Sequence, residues 1–155
     1  MRKRSHVPGP CVAAGAILAL TACGSLHVEA AWRTDAAGVT ASESRTSHGG
    51  SSCLDSGPWR SILVHLQEPK VGRTYEIGSA SLRILYGARD AVEFESARGT
   101  VVVLRLEPER LVLAIDVELL ANGRVVDRLR DTIEFGFGRV TDDTSPGLRL
   151  LEAAK

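Results

Sequence analysis

Two pairs of carboxylates are the residues whose spacing comes closest to hydrolytic chemistry. Glu93 and Glu95 lie two positions apart, as do Asp116 and Glu118. Within a strand, such a pair projects from one face, as a glycosidase's acid and nucleophile could. A solvated strand face has the same spacing. Because arginines follow Asp116 and Glu118 in the next predicted strand, we expect salt bridges there rather than catalysis.

The histidines and the remaining acidic residues do not form a metal-binding pattern. His65 is the only histidine in a predicted strand, and it has neither a cysteine nor a second histidine nearby, so we expect a sheet residue. Asp142 and Asp143 supply too few oxygens for calcium and suit a solvated loop. Hydrolase, phosphate-binding and dinucleotide motifs are absent from the sequence. We therefore predict no catalytic residue, no metal site, no cofactor and no enzyme activity.

The first 23 residues carry the pattern of an export signal. Met1-Arg2-Lys3-Arg4 is basic, and the apolar run over residues 11–22 has about twelve residues, fewer than the ~20 that span a bilayer. The run ends in Leu20-Thr21-Ala22-Cys23. This segment resembles the signal peptide and lipobox of bacterial lipoproteins.

The resemblance implies cleavage between Ala22 and Cys23 and a diacylglyceryl group on the Cys23 thiol. That covalent lipid would hold the chain on a membrane of the cell envelope, since two or more acyl chains anchor stably. Gly24 after the cysteine favours the outer membrane in a Gram-negative organism. The alternatives are an ordinary secretory signal cut near Ala22, which leaves Cys23 as a free thiol, and an uncleaved anchor.

Cys53 is the cysteine that remains unpaired in this interpretation. Cys11 leaves with the signal peptide and Cys23 carries lipid, so no intrachain disulfide is available. Cys53 is then a possible free thiol in a linker, or a site of intermolecular pairing.

The mature chain divides into a tether and one domain. Removal of residues 1–22 leaves 133 residues with a net charge of −3, which does not favour nucleic-acid binding. Residues 23–57 are rich in Ser, Gly, Ala and Thr, a composition that predicts a flexible tether. Within it, residues 26–32 alternate well enough to form a strand, and Trp32 would be unusual in a tether, so the alternative for this segment is docking on the domain.

Residues 58–140 have the two-residue period of strands separated by turn residues, and residues 141–155 form a tail with a short helix or a last edge strand. The fold class is all-β, a small antiparallel sandwich or partly open barrel of about six to eight strands. The predicted strands are 59–67, 73–77, 80–86, 91–96, 100–107, 110–120 and 125–137.

The register of the last hairpin follows from its charges. A plain two-residue turn at Asn122-Gly123 would place Glu118 opposite Asp127, which is unfavourable. We therefore predict a three-residue turn or a bulge near Gly123. The shifted register pairs Glu118 with Arg128, Asp116 with Arg130, Val117 with Leu129 and Leu113 with Ile133.

Two further resemblances concern the β-domain. Gly57-Pro58-Trp59 is similar to the G-x-W signature of lipocalins, in which the Trp closes the barrel base against a late Arg, here Arg139. A Trp at the boundary of a sandwich is the alternative. Residues 98–103, 114–119 and 122–125 together resemble small β-rich bacterial lipoproteins that have no assigned activity.

The sequence thus predicts a lipid-anchored envelope lipoprotein whose β-domain has a binding, interaction or structural role. Its partners would be the membrane, through the lipid, and an envelope protein or a small apolar ligand. A lipocalin-like small-molecule carrier and an envelope hydrolase are the alternative functions.

Overall fold

The computed structural model describes residues 25–48, 60–88, 92–140 and 148–155. These residues form strands and no helix, which confirms the all-β prediction, and they contain no helix that could cross a membrane. The strands are β1 (Ser25–Asp35), β2 (Gly38–His48), β3 (Arg60–Leu66), β4 (Thr74–Glu76), β5 (Leu82–Ala88), β6 (Ser96–Glu107), β7 (Arg110–Ala121), β8 (Arg124–Phe137) and β9 (Arg149–Leu150).

All nine strands belong to one open sheet that curls into a half-barrel, in the order β4-β6-β7-β8-β1-β2-β3-β5-β9. Of the two predicted architectures, the partly open barrel is therefore the one observed. Neighbouring strands are antiparallel except β1 and β8, which are parallel and pair only through Ala31 with Gly136 and Trp32 with Phe137. The β1–β8 contact is a short seam between two longer antiparallel ribbons.

The first two strands correct the prediction of a tether over residues 23–57. Residues 25–48 form a hairpin of eleven residue pairs, and β2 pairs with β3 along seven more, so the described part of the chain has nine strands rather than six to eight. This hairpin has few apolar residues, but those few are buried by the neighbouring strands. Trp32, Val39 and Ala41 are each at most 3% exposed.

The turn of this hairpin has a recognisable sequence pattern within a segment whose overall composition suggests a tether. Asp35 Oδ1 accepts hydrogen bonds from the amides of Ala37 (2.8 Å) and Gly38 (2.9 Å), as an Asp that begins a turn commonly does. Gly38 has a φ of +148°, and a Cβ at this position would lie 2.1 Å from the carbonyl oxygen of Leu66. An Asp followed three residues later by a Gly thus marks a tight turn within the presumed tether.

Two other segments differ in detail from the predicted strands. The strand predicted over 91–96 is wrong for residues 92–95, which form a connection before β6 begins at Ser96. In the tail, the described residues include the edge strand β9 rather than a helix. Residues 141–147, with Asp142 and Asp143, lie outside the described part of the chain.

The β7–β8 hairpin confirms the predicted register. Asn122 and Gly123 form a two-residue turn with positive φ values of 51° and 70°, and Val126 is the extra residue of a bulge directly after it. The bulge shifts the pairing by one residue, so the apolar face of β7 meets the apolar face of β8. The four predicted pairs all occur: Glu118 with Arg128, Asp116 with Arg130, Val117 with Leu129 and Leu113 with Ile133.

The concave side of the half-barrel holds the core, and the last residues bridge its open side. Leu151 donates its amide to Ile84 of β5 at 2.9 Å, while the Ala97 amide of β6 donates to Glu152 at 2.8 Å. Residues 151–154 therefore connect the two sides of the curled sheet; we call them the bridging segment. Leu151, only 4% exposed, joins the core.

Candidate functional site

Four charged side chains lie inside the half-barrel, at the end where β2 finishes and β3 starts. Glu43 and Arg45 belong to β2, Arg60 to β3 and Asp131 to β8. We call this group the interior charge cluster. Each residue lies on the same strand face as core residues, as Glu43 does with Ala41 and Asp131 with Leu129.

The geometry of the cluster is that of a closed ring of ion pairs. Arg60 Nη2 donates to Glu43 Oε2 at 2.9 Å and to Asp131 Oδ2 at 2.6 Å. Arg45 Nη2 donates to Asp131 Oδ2 at 2.7 Å, and Arg45 also contacts Glu43. The Glu43 side chain is fully buried, so its charge is compensated by these two guanidinium groups alone among the described residues.

The electrostatics favour the ionised forms of Asp131 and Arg60. Burial acts to raise the pKa of Asp131, but the hydrogen bond from Arg60 and the charges of Arg45 and Arg60 outweigh it, so its pKa lies below the ordinary value. Burial acts to lower the pKa of Arg60, but its contacts with Asp131 and Glu43 outweigh it, so its pKa is raised. The cluster pairs two guanidinium groups with two carboxylates and suits bracing of the barrel better than binding an ion, and Asp131 is not held protonated as a general acid would be.

A cleft of about 530 Å³ lies at the opposite end of the half-barrel. Three connections surround it: the β1–β2 turn, the loop after β3 and the β6–β7 turn. We call it the turn-end cleft. Its apolar lining comprises Trp32, Val39, Pro69, Leu106 and Pro108.

Trp32, which lines the cleft, has a side-chain N–H without a hydrogen-bond partner among the described residues. Its side chain is buried, and its ring meets that of Phe137 edge-on at 5.3 Å between centroids. The indole Nε1 has no hydrogen-bond partner in the described part of the chain. Buried N–H groups are nearly always bonded, so this donor is an exception among the described residues.

Beside the cleft, His65 takes part in a short chain of polar contacts. Thr40 Oγ1 lies 3.0 Å from His65 Nδ1 and 3.2 Å from Asp35 Oδ2. A proton on Nδ1 would let the imidazole donate to Thr40 and Thr40 donate to Asp35. Because both Asp35 oxygens thus bind the β1–β2 turn and β2, the contacts stabilise the turn. His65 does lie in a strand, as predicted, and the described residues contain no group that could hold a metal.

The two carboxylate pairs lie in separate clefts: Asp116 and Glu118 line one together with three arginines, and Glu93 and Glu95 line another beside Arg149. Asp116 and Glu118 lie on the outer face of β7. Asp116 pairs with Arg130, as the charges predict. Glu118 pairs with Arg128, also as predicted, and with Arg98. Glu95 accepts the Asn122 amide at 3.0 Å, in the connection before β6.

The remaining predicted site residues lie outside the described part of the chain: Ala22, Cys23, Gly24, Cys53 and Trp59. Arg139 is described and exposed. The lipocalin resemblance pairs it with Trp59, which lies outside the described residues, so that contact stays a prediction. His27 and His48 lie within β1 and β2.

The sequence reasoning missed both the interior charge cluster and the turn-end cleft. Glu43 is 88 positions from Asp131, and the cleft is built from three separate connections. The Asp35…Gly38 turn pattern is the one sequence feature that points to part of either site, because this turn borders the cleft. The chain matches no protein-family model, no curated protein sequence and no solved structure.

Proposed function

We propose that this chain is an envelope lipoprotein whose half-barrel binds a small ligand with an apolar portion in the turn-end cleft. The single observation that carries the binding role is the cleft itself. About 530 Å³ of space is lined by apolar side chains around a buried indole whose N–H is unpaired within the described residues. Clefts of this size with few polar groups are typical ligand sites.

The lipid anchor rests on the lipobox, and the outer membrane is the proposed location in a Gram-negative organism because Gly24 follows Cys23. Only Gly24 separates Cys23 from the first residue of β1, so a lipid on Cys23 would hold the half-barrel close to the membrane. The eleven residues of β1 span about 35 Å and end at the cleft. The cleft would then face away from the membrane, toward ligands in solution.

The proposed mode of binding differs from that of a lipocalin carrier, which encloses its ligand within the barrel. In this chain the interior is occupied by the core and the interior charge cluster. The ligand would therefore sit at the mouth of the half-barrel, between connections.

The anchor is tested by mass spectrometry of the protein purified from membranes, beside a Cys23→Ala variant. We expect the mature chain to begin at Cys23 with acyl chains attached and to enter the detergent phase, and the variant to stay in the aqueous phase. Equal partitioning of two unacylated proteins would overturn the lipoprotein proposal.

The binding role is tested by the fluorescence of Trp32. Since the chain has two Trp residues, a Trp59→Phe background leaves Trp32 as the sole indole. Titration with octanol should change its emission saturably. Ala37→Leu, in the cleft lining, should weaken the change, whereas Val125→Leu, at the β7–β8 turn, should not. A response that is unsaturable, or unaffected by Ala37→Leu, would contradict binding in the cleft.

A further inference from the structure

We infer that the turn-end cleft selects organic cations, that is, ammonium compounds with an apolar body. This inference rests on the proposed binding function and adds the charge class of the ligand. It is carried by the distribution of charge around the cleft: the lining has three acidic side chains, Asp35, Glu68 and Glu107, and, among the described residues, no basic one.

The three carboxylates lie on three different sides of the apolar lining. Asp35 is the last residue of β1, Glu68 lies in the loop after β3 and Glu107 is the last residue of β6. A ligand seated on Leu106 and Trp32 would have a carboxylate-bearing segment on each of these sides.

The nearby basic groups do not cancel this acidic character. Arg105 approaches Glu107 at 3.7 Å, but both side chains are about half exposed, so the pair is loose and screened by water. Within the described residues, no basic group reaches the Glu68 carboxylate within ion-pair distance. The cleft thus has three carboxylates in its lining, with Arg105 beside Glu107 and His65 acting on Asp35 from outside it.

Hydrogen bonds within the β1–β2 turn and to Thr40 fix the position of Asp35. The hydrogen bond from the Ala37 amide, together with those from Thr40 and the Gly38 amide and the charge of His65, holds the pKa of Asp35 below the ordinary value against the effect of burial. Asp35 therefore favours its ionised form.

A quaternary alkylammonium fits this combination because its charge is weakly hydrated and its substituents are apolar. It loses little hydration on contact with the Trp32 and Leu106 surfaces and gains attraction from the carboxylates. An anion of the same size would meet only like charge at the rim. A small metal cation would find a lining too apolar to replace its water ligands.

The test uses three probes of one chain length: octyltrimethylammonium, octanol and octanoate, each below its aggregation concentration. Binding to the full chain in the Trp59→Phe background is followed through Trp32 emission at low salt. We expect the cation to bind about fivefold more tightly than octanol and octanoate to bind more weakly than octanol. Added salt should reduce these differences.

Variants identify the source of the preference. Glu68→Gln combined with Glu107→Gln should abolish most of the cation's advantage and leave octanol binding unchanged. Glu109→Gln removes an exposed carboxylate of the adjacent β6–β7 turn that does not line the cleft. This control should change neither the cation's advantage nor octanol binding. Equal binding of all three probes would overturn the inference while leaving the cleft as a binding site. No saturable binding of any probe would overturn the proposed function as well.

Discussion

Arg60 Nη2 donates a hydrogen bond to Asp131 Oδ2 at 2.6 Å, although β1 and β2 lie between their strands in the sheet. The contact therefore crosses the concave interior instead of following the sheet. Arg45 joins the same carboxylate oxygen, and Glu43 binds both arginines. The interior charge cluster braces one end of the half-barrel across its opening.

Removal of Glu43 should be strongly destabilising. Glu43→Gln leaves two partly buried guanidinium groups facing one carboxylate, and breaking a buried ion pair from one side costs about 3 kcal/mol. Urea unfolding of the two proteins at neutral pH measures the difference in the free energy of unfolding.

The matched control for this prediction is Glu118→Gln, which removes a carboxylate with two arginine partners on the outer face. We expect a clearly smaller loss of stability than for Glu43→Gln, because the partners Arg98 and Arg128 are mostly exposed and such pairs contribute little. If both variants lose the same stability, the interior position of Glu43 has no special importance.

Asp131 should make the protein sensitive to acid. Although burial acts to raise it, its folded-state pKa lies below the ordinary value of 3.8 because of the Arg60 hydrogen bond and the charges of Arg45 and Arg60. A depressed pKa gives stability that is fully present above the unfolded value of 3.8 and is lost as the pH falls through the folded pKa. Chemical unfolding at a series of acid pH values measures the slope.

In Asp131→Asn this part of the slope should disappear, so the variant is less stable than the parent at neutral pH and the two converge in acid. Glu109→Gln, at the exposed β6–β7 turn, should leave the slope unchanged. Parallel curves for the parent and Asp131→Asn would contradict the role assigned to this carboxylate.

The sequence predicts those structural features that depend on residues close together in the chain. The β7–β8 register follows from the charges of Glu118 and Arg128, because both belong to one hairpin. The pairing of Arg60 with Asp131 could not be predicted, since 71 positions separate them and the curl of the whole sheet brings them together. The composition of residues 25–48 predicts a tether, because the strands that pair with this hairpin, β3 and β8, lie far away in the sequence.

The glycines of the β6–β8 region should differ sharply in their tolerance of alanine. A Cβ on Gly99 would lie 2.1 Å from the Asp116 carbonyl oxygen and 2.7 Å from the Val117 Cα, so the backbones of β6 and β7 would have to separate. Gly123 also has positive φ, but no atom lies within 4 Å of its Cβ position.

We therefore expect Gly123→Ala to cost only the left-handed backbone conformation, about 1 kcal/mol, and Gly99→Ala to cost clearly more. Thermal unfolding of the two variants provides the comparison. A smaller loss for Gly99→Ala than for Gly123→Ala would show that β6 can shift away from β7 without cost.

The bridging segment should contribute to stability through Leu151. Leu151→Ala removes a side chain that is only 4% exposed and packs in the core, at a cost of about 2–3 kcal/mol. The neighbouring Leu150→Ala is the control, because Leu150 is 41% exposed. Urea unfolding should separate the two, and equal losses would mean that residues 151–154 do not close the open side in solution.

The β1–β8 seam has a consequence for how the molecule opens. Only two residue pairs cross it, whereas β1 and β2 share eleven pairs and β7 and β8 share twelve. Rare partial unfolding should therefore begin there, while the interior charge cluster and the bridging segment still join the two ribbons. Native-state hydrogen exchange would detect this as early exchange of the Gly138 amide, which donates to the Trp32 carbonyl at the seam. Since Trp32 also lines the turn-end cleft, an occupied cleft would slow that exchange.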